Sequence, residues 1–238
     1  MKITYIHHSS FSVELENAVL LFDYFKGTLP EFPAGKPLFI FASHFHADHY
    51  DPVIFQLGEK RENVFYILSK EIGKKIPEEY RKRYKDRMRL VKAGERFCLN
   101  ISEESLIVET FHSTDEGVAF WLSCEGKEIY HAGDLNNWWW EGEDMAWNRN
   151  MAASYKQEMK KLSGRTADLA FIPVDPRLEQ WFYLGAAGFM EQADTKWIFP
   201  MHFWEDYTII PKLIEHPSSE GWRDRIVEIH KEGEEFIR

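Results

Sequence analysis

The chain has 238 residues, a formal charge of −10 and an ordinary globular composition, with 44% hydrophobic and 29% charged residues. It is long enough to bury a sizeable core, in one large domain or two small ones. The net negative charge disfavours nucleic acid and anionic membranes as partners, without excluding a nuclease. No apolar run approaches the roughly 18 residues that a membrane-spanning helix needs, so we expect a soluble protein.

The cysteines and the first residues bear on the compartment. The two cysteines, Cys98 and Cys124, have a spacing that fits neither a metal motif nor a redox motif. A chain of this size does not need a disulfide scaffold, so a reduced, cytoplasmic environment is the simpler expectation. The N-terminal residues have neither a long apolar core nor a small-residue cleavage site, and we therefore expect no signal peptide.

The first part of the chain predicts short strands. Residues 3–6, 11–15 and 19–23 have the composition and the flanking turns of three strands. Residues 27–37 contain three prolines and two glycines, which is typical of a loop. The apolar run 38–42 then predicts a fully buried strand.

The next segments alternate between helix and strand. A helix is predicted to begin at 51–52, where Asp can cap it and Pro suits its first turn. Residues 64–68 predict a strand, and residues 70–75 and 78–88 predict short charged helices. The basic residues of 81–89 are interleaved with acidic ones, which favours a solvated helix face over a nucleic-acid surface.

The second half repeats this alternation. Its predicted strands are 106–111, 118–124, 128–131, 167–174 and 197–200, its predicted helices are 151–162 and 178–192, and the tail 225–238 is expected to form two short strands. Strands with helices between them, occurring twice, predict an α+β fold of two sheets between helices, which is a four-layer αββα sandwich. Because no repeat or linker divides the chain, we expect residues 1–238 to form a single domain.

The most informative stretch follows the buried strand 38–42. It has the sequence S-H-F-H-A-D-H and places three imidazoles and a carboxylate within residues 44–49. Neutral His and ionised Asp are ligands of borderline divalent metals such as Zn²⁺. Since a strand end and a turn can splay such side chains around one or two ions, the stretch predicts a metal site.

The H-x-H-x-D-H motif resembles the signature of the metallo-β-lactamase superfamily of metallohydrolases. Three later strands also end in a candidate ligand, at His112, Asp134 and His202, and their order is similar to that of the superfamily's later motifs. Singly, each could instead be a surface, turn or core residue. The resemblance implies one metal held by His44, His46 and His112, a second held by Asp48, His49 and His202, and Asp134 bridging the two with a water or hydroxide.

Two divalent ions of this kind, zinc first with manganese, iron or nickel as alternatives, would supply a bridging hydroxide as the nucleophile. Asp134 and Asp48 are then the expected catalytic residues, with Asp48 also passing a proton to the leaving group. Asp23, which closes a buried strand, is either a turn former or, as the resemblance implies, a support for the histidine loop.

Two further features concern the substrate. The opening H-H-S-S-F of residues 7–11 resembles the G-H-S/A-x-F opening of the branch that includes ascorbate-6-phosphate lactonase, which implies that His8 lies near the pocket. The Trp-rich segment 136–165 is expected to form a lid or cap, with Trp139 and Trp140 as substrate contacts. His131 is interpreted as an ordinary sheet residue.

The sequence as a whole therefore predicts a binuclear metal-dependent hydrolase that acts on a small-molecule ester, lactone or phosphoester. Homo-oligomerisation is left open. The alternatives are a nuclease of the same fold and a non-catalytic metal-binding module. A redox di-iron role is least favoured, because His46 stands where flavodiiron members have an acidic residue and no flavin or rubredoxin-like segment is present.

Overall fold

The computed structural model describes residues 1–101 and 104–238 and shows two β-sheets packed face to face, with helices on their outer faces. The predicted α+β fold of four αββα layers is confirmed. The strands of the described residues are β1 (Lys2–His7), β2 (Ser10–Glu14), β3 (Val19–Phe22), β4 (Leu38–Ala42), β5 (Val64–Ser69), β6 (Met88–Val91), β7 (Arg96–Ile101), β8 (Glu104–His112), β9 (Val118–Cys124), β10 (Lys127–His131), β11 (Thr166–Pro173), β12 (Asp194–Met201) and β13 (Glu235–Ile237).

Both sheets are mixed. The first has the order β13-β1-β2-β3-β4-β5-β6, antiparallel from β13 to β3 and parallel from β3 to β6. The second has the order β12-β11-β10-β9-β8-β7, parallel from β12 to β10 and antiparallel from β10 to β7. Each sheet therefore has parallel strands, whose carboxyl ends meet at one edge.

The helices are short apart from one. The α-helices are α1 (Ile54–Glu59), α2 (Glu78–Arg83), α3 (Met145–Met159), α4 (Leu184–Met190) and α5 (Ile209–Glu215). Turns of 3₁₀-helix span Lys70–Lys74, Lys85–Arg87, Lys160–Leu162, Pro176–Trp181, Pro217–Ser219 and Arg223–Arg225. Within the described ranges, no helix is both long and apolar enough to cross a bilayer.

Several predicted elements differ from the observed ones. The predicted helix 78–88 stops at Arg83, because Met88 begins β6, an edge strand that the sequence analysis missed together with β7 and α5. The predicted helix 178–192 is divided, because Glu179 has a φ of 52° and interrupts the helical turn. The tail forms β13 and a single bridge from Ile226 to Ile198.

Side chains alternate across the central strands, as the two-residue repeat of a strand requires. In β3, Leu20 and Phe22 belong to the core cluster that contains residues of both sheets. Val19 and Leu21 belong to a second cluster, beneath α1 and α2. A strand buried on both faces has to be apolar throughout, which explains the continuous run in β4.

Aromatic rings join the two sheets next to the metal motif. The ring centroids of Phe41 and Phe120 lie 5.2 Å apart across the interface, and Phe22 stacks on Phe41 at 5.1 Å. These contacts hold the carboxyl end of β4 against the second sheet. The histidine loop that follows β4 is therefore attached to the buried aromatic core between the sheets.

Replacement of Phe41 by Ala tests this packing. Phe41 is fully buried, so the cavity and the lost contacts should lower the free energy of unfolding by about 3–5 kcal/mol in urea denaturation of the metal-free protein. Ile237→Ala, at a side chain that is 70% exposed, serves as the control and should change it by less than about 0.5 kcal/mol. A loss below about 1 kcal/mol for Phe41→Ala would contradict this account of the core.

Candidate metal centre

The histidine loop is oriented by a buried carboxylate at the end of β3. Asp23 accepts hydrogen bonds from the backbone N–H and the hydroxyl of Ser43, both at 2.7 Å, and from Nδ1 of His49 at 2.8 Å. The Ser43 hydroxyl then accepts from Nδ1 of His44 at 2.9 Å. The hydrogen bonds at Nδ1 therefore fix the orientation of both rings, and Nε2 of each faces Asp134 at the centre of the site.

A second buried carboxylate orients the histidine that follows β12. Asp175, which follows β11, accepts a hydrogen bond from Nδ1 of His202 at 2.9 Å. Arg177 binds the other side of the carboxylate through Nε at 3.0 Å and Nη2 at 2.5 Å. The sequence analysis missed Asp175, although it closes a buried strand in the same way as Asp23 does.

Asp134 stands between the groups that these histidines form. Its Oδ1 lies 3.2 Å from Nε2 of His49 and 3.4 Å from Nε2 of His202. Its Oδ2 lies 3.6 Å from Nε2 of His44. The two oxygens of one carboxylate thus face two different sets of nitrogens.

Three groups of described side chains could each hold a metal ion; one consists of His7, Glu205 and Glu232, and the other two contain the residues that the resemblance implies as ligands. Within each group the candidate ligand atoms all lie within 4.8 Å of one another. Of the latter two, the first group consists of His44, His46, Asp115 and Asp134, and the second of His8, Asp48, His49 and His202. The structure therefore brings together six of the seven residues that the resemblance implies as ligands.

The exception is His112, which the structure places outside both groups. It ends β8 with an exposed side chain, whereas the loop after it carries Asp115 to 3.4 Å from Nδ1 of His46. A glycine allows this approach, since a Cβ on Gly117, which has a φ of 74°, would lie 2.0 Å from the carbonyl oxygen of Ser43. Gly133 packs against Ser43 in the same way, with a φ of 52°, and brings in Asp134.

His8 lies among the candidate metal ligands, but the nitrogen that faces them carries a proton. Its ring is fully buried, 4.1 Å from the ring of His202, with Nε2 at 3.5 Å from Oδ2 of Asp48. Its Nδ1 accepts a hydrogen bond from the backbone N–H of Trp204, so in the neutral ring the proton is on Nε2. Burial lowers the pKa of His8 to about 3 and keeps it neutral, and Nε2–H is then a donor aimed at Asp48.

The other two histidines of the second group, His49 and His202, have raised rather than lowered pKa values. Burial opposes protonation of His202, but the charge of Asp134 and the hydrogen bond to Asp175 raise its pKa to about 9. Burial also opposes protonation of His49, but the charge of Asp134 and the hydrogen bond to Asp23 raise its pKa. Burial likewise opposes ionisation of Asp134, but His49 and His202 outweigh it and hold its pKa well below the usual range.

The buried atoms at the centre of the site fit a bound cation. Among the described residues, Nε2 of His49, Nε2 of His202 and Oδ1 of Asp134 are buried without a hydrogen-bond partner, yet all three point at one another. Buried polar atoms are normally paired, and such convergence of imidazole and carboxylate donors is the chemistry of a divalent metal site. Four residues here, His8, Asp23, His202 and Trp204, also have a positive φ, a form of strain that clusters at functional sites.

A cavity of about 280 Å³ opens over these groups. Trp138, Trp140, Trp147 and Met151 line one wall, beside Arg177. Trp140 is fixed to α3, because both its backbone N–H and its carbonyl bond the side chain of Asn148, at 2.9 and 2.7 Å.

The Trp-rich segment is divided between the core and the cavity. Trp138 is 95% buried and packs edge-on against His202, with ring centroids 5.3 Å apart. Trp139 points away and packs on Trp181 at 5.3 Å, outside the cavity lining. The segment thus both packs on the core and lines the cavity, and its role as a lid stays a prediction.

A fold of two mixed sheets with a histidine and aspartate cluster at one edge defines a class of metal-binding αββα proteins. The family model described as "Beta-lactamase superfamily domain" matches residues 2–202. The chain therefore belongs to the metallo-β-lactamase superfamily, as the motif of residues 44–49 predicts.

Individual relatives agree with this assignment. A UPF0173 metal-dependent hydrolase from Alkaliphilus metalliredigens is 24% identical, over 97% of this chain and 96% of the relative. A metallo hydrolase from the archaeon Ignicoccus hospitalis has a similar fold, with a TM-score of 0.64 and 17% identity over 99% of this chain and 97% of that one. CmlA, a diiron β-hydroxylase from Streptomyces venezuelae, matches with a TM-score of 0.60 and 12% identity over 96% of this chain and 52% of its own.

The choice between His112 and Asp115 as the fourth donor of the first group can be tested directly. Asp115→Ala should lower metal affinity about 10–100-fold or more, because a donor at the cation is lost. His112→Ala, three residues away and exposed, should leave affinity within about twofold. Metal content after dialysis and competition with a chelator measure both variants, and the reverse order would restore His112 as the ligand.

Protons should compete with the metal. Below pH 9 the metal-free protein holds a proton on His202 that must leave when the ring binds a cation, so apparent affinity should rise with pH, by up to about tenfold per unit for each proton released. Above about pH 9 this dependence should level off. Calorimetric titration with the metal, in buffers of different ionisation enthalpy, measures how many protons are released on binding. The control is His230→Ala, because His230 is an exposed histidine. An affinity that is flat or falls between pH 6 and 8 would contradict the raised pKa.

Proposed function

We propose that the protein is a binuclear metal-dependent hydrolase that acts on a small-molecule ester, lactone or phosphoester. The observation that carries the proposal is the arrangement around Asp134, with one carboxylate oxygen facing His44 and the other facing His49 and His202. Two groups that share one carboxylate could together hold the pair of ions that two-metal hydrolases use. The name of the Alkaliphilus relative, a metal-dependent hydrolase, agrees with this function.

The donor set bears on the identity of the metal. The proposed first site has His44 and His46 with two carboxylates, Asp115 and Asp134, in place of the three-histidine arrangement that the resemblance implies. Carboxylate oxygens suit harder ions, so manganese and iron fit this site as well as zinc does. When bound, two such ions would acidify a shared water and polarise the substrate's carbonyl or phosphoryl oxygen.

The protein's own groups would handle the protons. Burial alone would raise the pKa of Asp48, but the neighbouring His8, His49 and His202 outweigh it and lower the pKa, so the carboxylate is ionised and can accept a proton. Its side chain is 24% exposed and lines the cavity, within reach of a leaving group. His8 acts on Asp48 from the buried side, where its Nε2–H can hold one carboxylate oxygen in place.

Nothing in the cavity favours nucleic acid over a small molecule. A cavity of about 280 Å³ is at the low end for ligand pockets, and its far wall consists mainly of tryptophan. The likeness to CmlA concerns the fold alone and gives no separate support to a redox reaction. The non-catalytic alternative is addressed by experiment.

Metal content and hydrolysis test the proposal together. The wild-type protein should bind about two equivalents of Zn, Mn or Fe and hydrolyse at least one member of a panel of lactones, phosphodiesters and carboxylic esters. Asp134→Ala should lose most of the metal and at least about 10³-fold in rate, because it removes a donor from both groups. The exposed Asp86→Ala is the control and should match the wild type. Two bound ions without hydrolysis of any substrate would favour the non-catalytic module, and one equivalent would require a mononuclear mechanism.

A further inference from the structure

One cation in the cavity wall has no part in the proposed chemistry. Arg177 is the single lysine or arginine among the residues that line the cavity over the metal-binding groups. Its side chain is half exposed, so its guanidinium is accessible from the cavity. The sequence analysis did not single it out, because an arginine after a strand and a proline carries no local signature.

The guanidinium is held in a fixed orientation. Arg177 donates from Nε to Oδ1 and from Nη2 to Oδ2 of the fully buried Asp175, which is the paired geometry that arginine and carboxylate favour. Among the described residues, Nη1 makes no hydrogen bond, so this edge of the guanidinium is free for a ligand. The Cζ atom also lies 5.6 Å from the ring centroid of Trp140, which keeps the group against the apolar wall.

The charges of the cavity change sign when metal is bound. The lining contains three carboxylates, those of Asp48, Asp115 and Asp134, and Arg177 as its one lysine or arginine. Two divalent ions would reverse this balance and make the cavity cationic, in a protein whose overall charge is −10. An anionic group on a substrate would then be favoured in the cavity alone, away from the rest of the protein surface.

The apolar wall defines the other half of the ligand. Trp147 is 37% exposed and Met151 lies one helical turn further along α3, where both face the cavity. A polarizable thioether and indole rings suit a ring or a branched hydrocarbon. The small volume leaves room for one such group beside the anion.

We infer that this cavity selects small substrates with an anionic group, a carboxylate or a phosphate, that Arg177 binds through Nη1 while an apolar part lies against Trp140, Trp147 and Met151. The inference rests on the proposed function, since the metals make the cavity cationic. It adds the class of substrate and names a specificity-determining residue. The competing explanation is that Arg177 only fixes Asp175, and through it His202.

Binding of unreactive probes separates the two explanations. Calorimetry on the Zn-loaded protein compares phenylacetate with its neutral counterpart phenylacetamide, and phenylphosphonate with phenylacetate. We expect the anions to bind at least about tenfold more tightly than the amide, as a charge-assisted hydrogen bond would give. The tighter of the two anions identifies the group that the cavity prefers.

Substitutions assign the preference to Arg177. Arg177→Gln, reloaded with Zn to the wild-type metal content, should reduce the anion preference to less than about twofold, and Arg177→Lys, which keeps the charge, should retain part of it. Arg83→Gln, at an exposed arginine paired with Glu59, is the matched control and should keep the full preference. Trp147→Ala should weaken phenylacetate and phenylacetamide equally.

Three results would overturn the inference. The first is that the wild type shows no preference for anions. The second is that Arg177→Gln keeps the full preference, which would place the anion on the metals. The third is that both Arg177 variants lose metal and bind the anion and the amide more weakly by the same factor. Failure of the proposed function has a different signature. If the protein shows the Arg177-dependent preference but hydrolyses nothing in the panel, the proposed hydrolase activity is wrong and the anion-binding site still stands.

Discussion

An ionised carboxylate buried away from water is unfavourable unless hydrogen bonds compensate it, and the histidine loop supplies them to Asp23. Asp23 is fully buried at the end of β3 and is bonded to Ser43 twice and to His49 once. The dependence is mutual, because these bonds satisfy the carboxylate and also decide which nitrogen of each histidine faces the centre. Asp175 and His202 repeat the arrangement at the end of the second sheet. Without these two carboxylates, the imidazoles would have neither a fixed tautomer nor a fixed direction.

Much of this arrangement is visible in the sequence, because its strongest signals are local. The apolar run of β4 predicts a strand buried on both faces, and the motif of residues 44–49 predicts the ligands at its end. The family model confirms the superfamily and the fold that these residues imply. Asp134 and His202 are predicted because their order along the chain resembles that of the superfamily's later motifs; His202 directly follows β12, and Asp134 lies three residues after β10.

The remainder depends on contacts between distant parts of the chain. His112 and Asp115 are three residues apart and both are plausible ligands, and the close approach of Gly117 to Ser43 decides which of them reaches the cluster. The role of Arg177 likewise depends on Asp175 and on a tryptophan wall from another segment. The edge strand β6 has the short sequence M-R-L-V with only Val91 buried, and it directly follows a charged run of helical composition, so propensity misassigns it. Short-range sequence patterns predict the strands and helices, whereas tertiary packing determines which side chains come together in one site.

The position of Asp134 has a consequence for the order of events at the centre. Because its two oxygens face different groups, any cation in one group changes the charge and the orientation of a donor that belongs to the other. If each group binds an ion, as we propose, the two binding events would be linked thermodynamically. Such linkage is reciprocal, so the free energy by which the first ion alters the second would be the same whichever group fills first. One side chain would then set the cooperativity of the proposed centre.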